Sequence, residues 1–263
     1  MPSNLFDIGA NLTHESFNKD LNNVIEKSLT NGIKNICVTG CDLEDSRKAI
    51  EIAKLFPKNL ITTCGIHPHY ADSFDENSSS EIISICKNSL VKAIGETGLD
   101  FNRNFSKKEK QIQSFLNHIE IANSLNLPMF LHQRDAHESF MNCLEKVNPL
   151  TQCVVHCFTG KEEELKDYLK KGFFIGLTGW ICDPKRGAHL EKLISLIPLN
   201  RLLIETDSPY LLPKNLEVKG RRNEPIYLRE VLKKIIKHRD ENEEEIIETP
   251  YGGKKIMKII KLH

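Results

Sequence analysis

Residues 94–100 read Ile-Gly-Glu-Thr-Gly-Leu-Asp, an acidic residue between two glycines at the end of a short apolar run. A buried parallel strand shows this pattern when its last residue, here Glu96, must face a ligand before the backbone turns away. Gly98 is therefore expected to break the strand. Neither lysine nor arginine is adjacent to the carboxylate, so it needs a cation or a proton, unless it caps a helix or joins a salt bridge.

An apolar run followed by an amphipathic stretch recurs along the chain. The apolar runs are Leu5–Ile8, Ile33–Thr39, Leu60–Ile66, Leu90–Ile94, Pro128–Leu131, Cys153–Cys157, Phe173–Leu177 and Leu202–Ile204. The helical patterns are Leu21–Leu29, Asp45–Leu55, Glu81–Lys87, Glu109–Leu125, Ala136–Val147, Glu162–Lys171, Ala188–Ile197 and Tyr227–His238. Eight strands alternating with helices over about 250 residues predict an α/β fold, a (β/α)8 TIM barrel, in one domain of residues 1–263. The competing architecture is an open doubly wound sheet, but no Gly-x-Gly-x-x-Gly follows the first strand.

The composition limits the partners and surroundings of the chain. Its 36 basic and 36 acidic residues cancel, so no overall positive field attracts polyanions, which disfavours a stoichiometric nucleic-acid coat protein. The eight cysteines form no Cys-x-x-Cys pair and are expected to be buried, reduced thiols of an intracellular protein. No apolar run reaches about 18 residues, so we expect no membrane segment and a cytoplasmic protein, or a nuclear one in a eukaryotic host. The tail at residues 251–256 contains paired glycines and fits no predicted element.

Side chains that can bind a metal stand at the predicted ends of four strands. Glu96 ends strand four, and His132, His156 and Asp207 end strands five, six and eight. In such barrels the carboxyl ends of the strands form the active site. A lone histidine at a strand end is more often structural than a ligand, but four such residues reverse that preference. Imidazole and carboxylate together suit Zn²⁺ or Mn²⁺, and more oxygen-rich surroundings suit Mg²⁺.

The four side chains could hold one or two ions. Glu96, His132 and His156 would bind the first ion, because alternation along a strand lets both histidines face the barrel mouth. The second ion could use Glu96 as a bridge, together with Asp207 and the amide oxygen of Asn11. A carboxylate shared by two ions about 3.5–4 Å apart activates water and clamps a phosphodiester.

Several motifs, in order and at familiar spacing, resemble the TatD family of metal-dependent deoxyribonucleases. They are Asp7–Leu12, Gly65–His69, Ile94–Phe101, His132–Ala136, His156–Gly160, Glu205–Leu211 and Arg222–Pro225. The resemblance implies a TIM barrel of the amidohydrolase type, a divalent-metal nuclease, and metal ligands at Glu96, His132, His156 and Asp207. Many relatives carry Asp-x-His-x-His on strand one, where this chain has Gly9 and Asn11. The loss of two imidazoles predicts a weaker second site for Mg²⁺ or Mn²⁺, whereas Zn²⁺ could occupy the first.

The resemblance also implies a substrate and a mechanism. The substrate would be nucleic acid, with single-stranded DNA ends cleaved by a 3'-5' exonuclease and RNA as a further substrate. An activated water would attack phosphorus, with Glu96 and Asp207 as catalytic residues and Asp207 accepting the proton. The candidate substrate-binding residues are His67, Arg134, Arg103, Arg222 and Asn223. Phe101 and Trp180 could stack on an unpaired base, and core packing is the alternative for Phe101.

Two other classes of function stay open at this point. One is a metal-dependent hydrolase of another ester or amide on the same barrel, such as an aminoacyl-tRNA deacylase, since the fold does not fix the substrate. The other is a metal or nucleic-acid binding module without activity, which the neutral net charge and the complete ligand set disfavour. The chain is expected to be a monomer.

Overall fold

The computed structural model describes residues 4–248, so the tail at 251–256 lies outside the described residues. The strands are β1 (Leu5–Ala10), β2 (Ile33–Val38), β3 (Leu60–Cys64), β4 (Val91–Asp100), β5 (Met129–Arg134), β6 (Cys153–Val155), β7 (Phe174–Leu177) and β8 (Leu202–Ile204). The helices are α1 (Leu21–Thr30), α2 (Leu43–Leu55), α3 (Ser78–Ile85), α4 (Lys108–Leu125), α5 (His137–Lys146), α6 (Glu162–Lys170), α7 (Ala188–Ile194), α8 (Leu228–Ile236) and α9 (Glu243–Glu248). All but α9 follow the predicted alternation.

The strands form one eight-stranded sheet in the order β1 to β8. Pairing is parallel wherever the register is defined, as in β1 with β2, β4 with β5, and β7 with β8. The segment after β8 returns to β1, since Ala10 and Ser208 form a parallel bridge and the amide of Asn11 donates to the Ser208 carbonyl at 2.7 Å. A parallel sheet whose last strand meets its first has the order of a (β/α)8 barrel. The predicted fold class is confirmed.

The described chain divides into two compact units, one of residues 4–38 and 157–248 and the other of Thr39–His156. Within the second unit, α4 packs on β4 and contributes Phe115, whose ring stacks on Phe140 of α5 with 4.9 Å between centroids. Both rings are fully buried. Burying one such side chain contributes roughly 1.5–3 kcal/mol, so this pair anchors α4 and α5 beside the strands they follow. The single domain of residues 1–263 stays a prediction.

Strand β4 does not end where the sequence pattern placed its end. The prediction that it stops at Glu96 and breaks at Gly98 is wrong, because β4 stays paired with β5 as far as Asp100, which lies opposite Arg134. Gly98 has φ +141°, and a Cβ there would collide with the carbonyl oxygen of His132. The glycine therefore permits a close approach of two strands rather than a turn. Glu96 lies inside β4, and Asp100 takes the place at its end.

The remaining differences are small shifts of element ends. β5 continues two residues beyond His132, and β6 ends one residue before His156. Helix α3 begins at Ser78, three residues before the predicted start, because the side chain of Asp75 accepts hydrogen bonds from the Ser78 amide and hydroxyl. The eight cysteines are thiols, as expected, but only five of them are buried, since Cys41, Cys86 and Cys157 are partly exposed. Among residues 4–248 we find no helix of the length and apolar character that crossing a membrane requires.

Replacing Gly98 by alanine should destabilise the fold by about 1–3 kcal/mol, because the new Cβ overlaps the His132 carbonyl. Urea unfolding measures this loss. The matched control is Gly220→Ala, since Gly220 also has a positive φ, +91°, but no atom lies within 4 Å of the position that a Cβ would take there. Equal losses in the two variants would mean that backbone strain, and not the close approach of β4 to β5, requires the glycine.

Candidate metal centre

One carboxylate oxygen, Oε1 of Glu96, is the focus of three imidazole rings. The Nδ1 atom of His132 lies 2.9 Å from it, the Nε2 atom of His156 lies 2.7 Å from it and the Nε2 atom of His67 lies 3.2 Å from it. The carboxylate and the rings of His67 and His156 are buried, and His132 is partly exposed. The structure therefore brings Glu96, His132 and His156 together, as the sequence predicts, and adds His67.

The neighbouring histidines affect the pKa of Glu96 more strongly than burial does. Burial alone raises the pKa of this carboxyl, since it disfavours the charged form. Electrostatic interaction with the rings of His156 and His67, together with hydrogen bonds from His132 and His156, outweighs burial and holds the pKa well below its usual range. Glu96 in turn affects the pKa of His132. Burial lowers this pKa, but the hydrogen bonds to Asp100 and Glu96 raise it above its usual value.

The donor set fits a divalent cation. Candidate ligand atoms of His67, Glu96 and His132 all lie within 4.8 Å of one another, which is close enough for one ion to reach all three. Two imidazoles with a carboxylate are typical ligands of Zn²⁺ and related divalent ions. His156 contacts the same Glu96 oxygen, and its ring stacks on Phe130 with 4.5 Å between centroids. Phe130 thus fixes the plane of the His156 ring.

The hydrogen bonds of His67 define where its proton sits. Its Nδ1 atom accepts the backbone N–H of His69 at 3.0 Å, so the hydrogen of the neutral ring is on Nε2, the atom that faces Glu96. Burial lowers the pKa of His67 to about 4, although the charge of Glu96 opposes the shift. A neutral ring with its proton on Nε2 donates a hydrogen bond there, whereas binding an ion through the same atom would require the proton to move to Nδ1 and the hydrogen bond from the His69 amide to be lost. We therefore interpret His67 as a hydrogen-bond donor and not as a metal ligand.

Asp100 and His69 were not predicted as site residues. Oδ2 of Asp100 lies 2.8 Å from Nε2 of His69 and 3.3 Å from Nε2 of His132. The carboxylate thus holds the far nitrogen of His132 while its near nitrogen faces Glu96, a common outer-layer arrangement at metal-binding histidines. The sequence could have indicated Asp100, because residues 96, 98 and 100 share one face if the strand continues past residue 98.

The predicted residues Asp207 and Asn11 lie in the other compact unit. The amide of Asn11 donates to Oδ1 of Asp207 at 2.9 Å, and the backbone N–H of Asp207 donates to the Gly9 carbonyl. The adjacent Thr206 is held by Asp7, which accepts from the Thr206 amide at 2.9 Å and from its hydroxyl at 2.5 Å. Burial raises the pKa of Asp7 to about 8 in spite of these hydrogen bonds. Sequence reasoning missed Asp7 as the residue that fixes the segment before Asp207.

The predicted substrate contacts have varied surroundings. Arg134 ends β5 and is partly exposed, and Arg103 is exposed and donates its backbone N–H to Oδ1 of Asp100. The guanidinium of Arg222 binds both carboxylate oxygens of Asp20, at 2.8 and 2.7 Å, and also contacts Glu224 and the Ser16 carbonyl. Asn223 is buried, and its side chain donates to the Thr206 carbonyl. These contacts give Arg222 and Asn223 structural roles, and their contact with substrate stays a prediction.

A buried histidine on α4 supports the segment that carries His67. Nε2 of His118 accepts the backbone N–H of Ile66 at 3.0 Å, and Nδ1 lies 2.7 Å from the Ser114 carbonyl, to which it donates. Burial lowers the pKa of His118 to about 4, although the Ser114 carbonyl opposes the shift. The ring is therefore neutral near pH 7 and acts as a spacer between α4 and the end of β3.

Comparison with known proteins agrees with this geometry. The sequence model of the TatD-related DNase family matches residues 6–251. A protein of Escherichia fergusonii named "3'-5' ssDNA/RNA exonuclease TatD" is 44% identical over 241 residues, which is 90% of this chain and 92% of that protein. The protein of the same name from Escherichia coli gives the same identity and coverage. The crystal structure of a hydrolase TatD family protein from Entamoeba histolytica superimposes with a TM-score of 0.88 at 28% identity and covers 98% of both chains.

His118 should make stability depend on pH between about 6.5 and about 4. The unfolded chain takes up a proton at this residue below its ordinary pKa of 6.5, whereas the folded chain does so only near pH 4. The free energy of unfolding should therefore fall as the pH is lowered through this window, by about 3 kcal/mol for this residue. His67 acts in the same direction in the same window, so His118→Gln should flatten the slope without abolishing it. Urea unfolding at several pH values in metal-free buffer measures this, and parallel curves for the two proteins would contradict it.

Proposed function

Because the chain belongs to the TatD-related DNase family, we propose that it is a divalent-metal-dependent nuclease that hydrolyses phosphodiester bonds of DNA. The observation that carries the proposal is the convergence of three imidazole nitrogens on Oε1 of Glu96. Its relatives' names support a 3'-5' exonuclease that acts on single-stranded DNA and on RNA. They do not favour the alternative, a hydrolase of aminoacyl esters or amides.

Glu96, His132 and His156 would hold the ion, and Asp207 is a further candidate ligand. Mg²⁺ or Mn²⁺ are the ions we expect, with Zn²⁺ as an alternative for the histidine-rich set. A bound divalent ion would lower the pKa of a coordinated water and neutralise charge on the phosphate. A second ion would depend on Asp207 and Asn11, because the strand-one histidines of many relatives are absent here.

The side chains around the expected ion have distinct roles in the proposed reaction. His67 donates its Nε2–H to a phosphate oxygen or to the leaving oxygen, since its Nδ1 atom already accepts a backbone hydrogen bond. Asp207 takes the proton of the attacking water. Asp100 is a positioning residue, because it fixes the ring of His132 through Nε2. Arg103 and Arg134 bind phosphates of the strand, as guanidinium groups commonly do. The proposal also includes that the protein is a monomer and is cytoplasmic.

Glu96→Gln should abolish hydrolysis that depends on a divalent ion, with a loss of at least about 1,000-fold, because the amide cannot supply the negative charge on which three imidazoles converge. The measurement is release of nucleotides from an end-labelled single strand with Mg²⁺, Mn²⁺ or Zn²⁺. Glu120→Gln, on the exposed side of α4, is the matched control and should keep full activity. Near-normal turnover in folded Glu96→Gln would remove the proposed function.

His67 and His132 should separate into a donor and a ligand. His132→Ala should weaken ion binding by about 10–100-fold or more, measured by calorimetry on the metal-free protein. His67→Ala should keep ion binding close to that of the unmodified protein but lower kcat by about 100-fold or more, because a hydrogen bond to the reacting phosphate is lost. If His67→Ala instead loses the ion as completely as His132→Ala does, then His67 is a ligand and its assignment as a donor is wrong.

A further inference from the structure

Two exposed aromatic side chains flank the histidines of the candidate metal centre. Phe105 is 66% exposed and lies in the loop between β4 and α4, and Tyr70 is 50% exposed in the short helix after β3. Both follow the carboxyl end of a strand, the end at which barrels of this class form their active sites. Single exposed apolar side chains are common on protein surfaces, so the position of these two rings beside the histidines, and not their exposure alone, points to a binding role.

A short series of contacts connects these rings to Glu96. The ring of Phe105 packs edge to face on His69 with 4.8 Å between centroids, and Nε2 of His69 lies 2.8 Å from Asp100. The Asp100 carboxylate reaches His132, which contacts Glu96. The ring of Tyr70 lies 6.4 Å from that of His67, whose ring in turn packs edge to face on His69. Each ring therefore lies next to a histidine that neighbours the Glu96 centre, where the proposed function puts the reacting phosphate.

The loop that carries Phe105 is held in place by hydrogen bonds at both ends. Oδ1 of Asp100 accepts the backbone N–H groups of Asn102 and Arg103 at 3.0 and 2.8 Å. At the other end, the Ser106 hydroxyl donates to the His69 carbonyl at 2.8 Å, and its carbonyl accepts from Gln111 at 2.9 Å. The Phe105 ring is therefore presented by a fixed backbone, so a ligand that covers it loses little conformational entropy.

The two aromatic residues that the sequence suggested for stacking already have partners on their faces. The ammonium group of Lys108 lies 4.5 Å from the centre of the Phe101 ring. The guanidinium of Arg186 lies 4.3 Å from the centre of the Trp180 ring, and the indole N–H donates to the Arg186 carbonyl. Phe105 offers a more open surface than either of them.

We propose that Phe105, assisted by Tyr70, is a stacking platform for an unpaired base of the nucleic-acid strand whose phosphate lies at the Glu96 centre. This inference rests on the proposed nuclease function and names a contact that determines its substrate. An aromatic face binds any base by stacking, which suits an enzyme without sequence preference. A base in a duplex is already stacked and paired on both sides, so the platform selects single strands. The zero net charge of the chain gives such contacts a larger share of the binding.

The test compares strands with and without bases. One substrate is an end-labelled single-stranded oligonucleotide, and the other is the same strand with abasic units in its 3'-terminal nucleotides. Phe105→Ala should lower kcat/KM on the first strand by about 5- to 150-fold, the range for one base–aromatic contact, and leave the abasic strand unchanged. Phe105→Trp should retain the preference for bases. Leu150→Ala removes an exposed apolar side chain elsewhere in the same unit and should change neither value.

A binding measurement keeps the inference testable whether or not the strand is cleaved. Fluorescence anisotropy of the labelled strands in EDTA gives the affinity of each variant, and thermal melting checks that each is folded. The platform is supported if Phe105→Ala binds the base-bearing strand more weakly but binds the abasic strand as well as the unmodified protein does. Unchanged affinity and kcat/KM, or an equal loss on both strands, would overturn it, because the ring would then contact no base. Failure of the proposed function is a different result, namely no cleavage by the unmodified protein with any of the divalent ions.

Discussion

The candidate site depends on one buried negative charge and the cationic or hydrogen-bonding groups that surround it. An isolated carboxylate in a protein interior is strongly disfavoured, and the buried Glu96 is stabilised because three imidazole nitrogens lie within 3.2 Å of one of its oxygens. The same convergence makes the position suitable for a divalent cation, which would supply the missing positive charge. Structural stability and metal chemistry thus impose the same requirement on these residues.

The backbone of β4 and β5 puts this charge in place. Gly98 lets the two strands come so close that a side chain would meet the His132 carbonyl. With β4 extended to Asp100, Glu96 and Asp100 lie on the same face of the strand, and His132 can contact one through each ring nitrogen. A histidine held at both nitrogens has a fixed ring orientation, which favours metal binding.

Buried titratable residues outside the reacting groups serve as fixed supports. His118 holds Ile66 on the approach to His67, and Asp7 holds Thr206 beside Asp207. Burial shifts the pKa of both away from its ordinary value, to about 4 for His118 and about 8 for Asp7. Perturbed pKa values are commonly taken to mark catalytic groups. Here both belong to residues that hold segments next to candidate site residues, His118 through the Ile66 amide and Asp7 through the amide and hydroxyl of Thr206.

The sequence by itself determined the order of strands and helices, and it identified Glu96, His132 and His156 as residues that meet. Hydrophobic runs of strand length and residue types at their ends are local properties, so they can be read without coordinates. Only the tertiary structure decided that Gly98 continues β4, that Asp100 supports His132, and that the His67 proton faces Glu96. These features depend on which atoms of distant segments come within a few ångströms of each other. A glycine that breaks a strand and a glycine that lets two strands approach have the same letter in the sequence, and only the neighbouring strand distinguishes them.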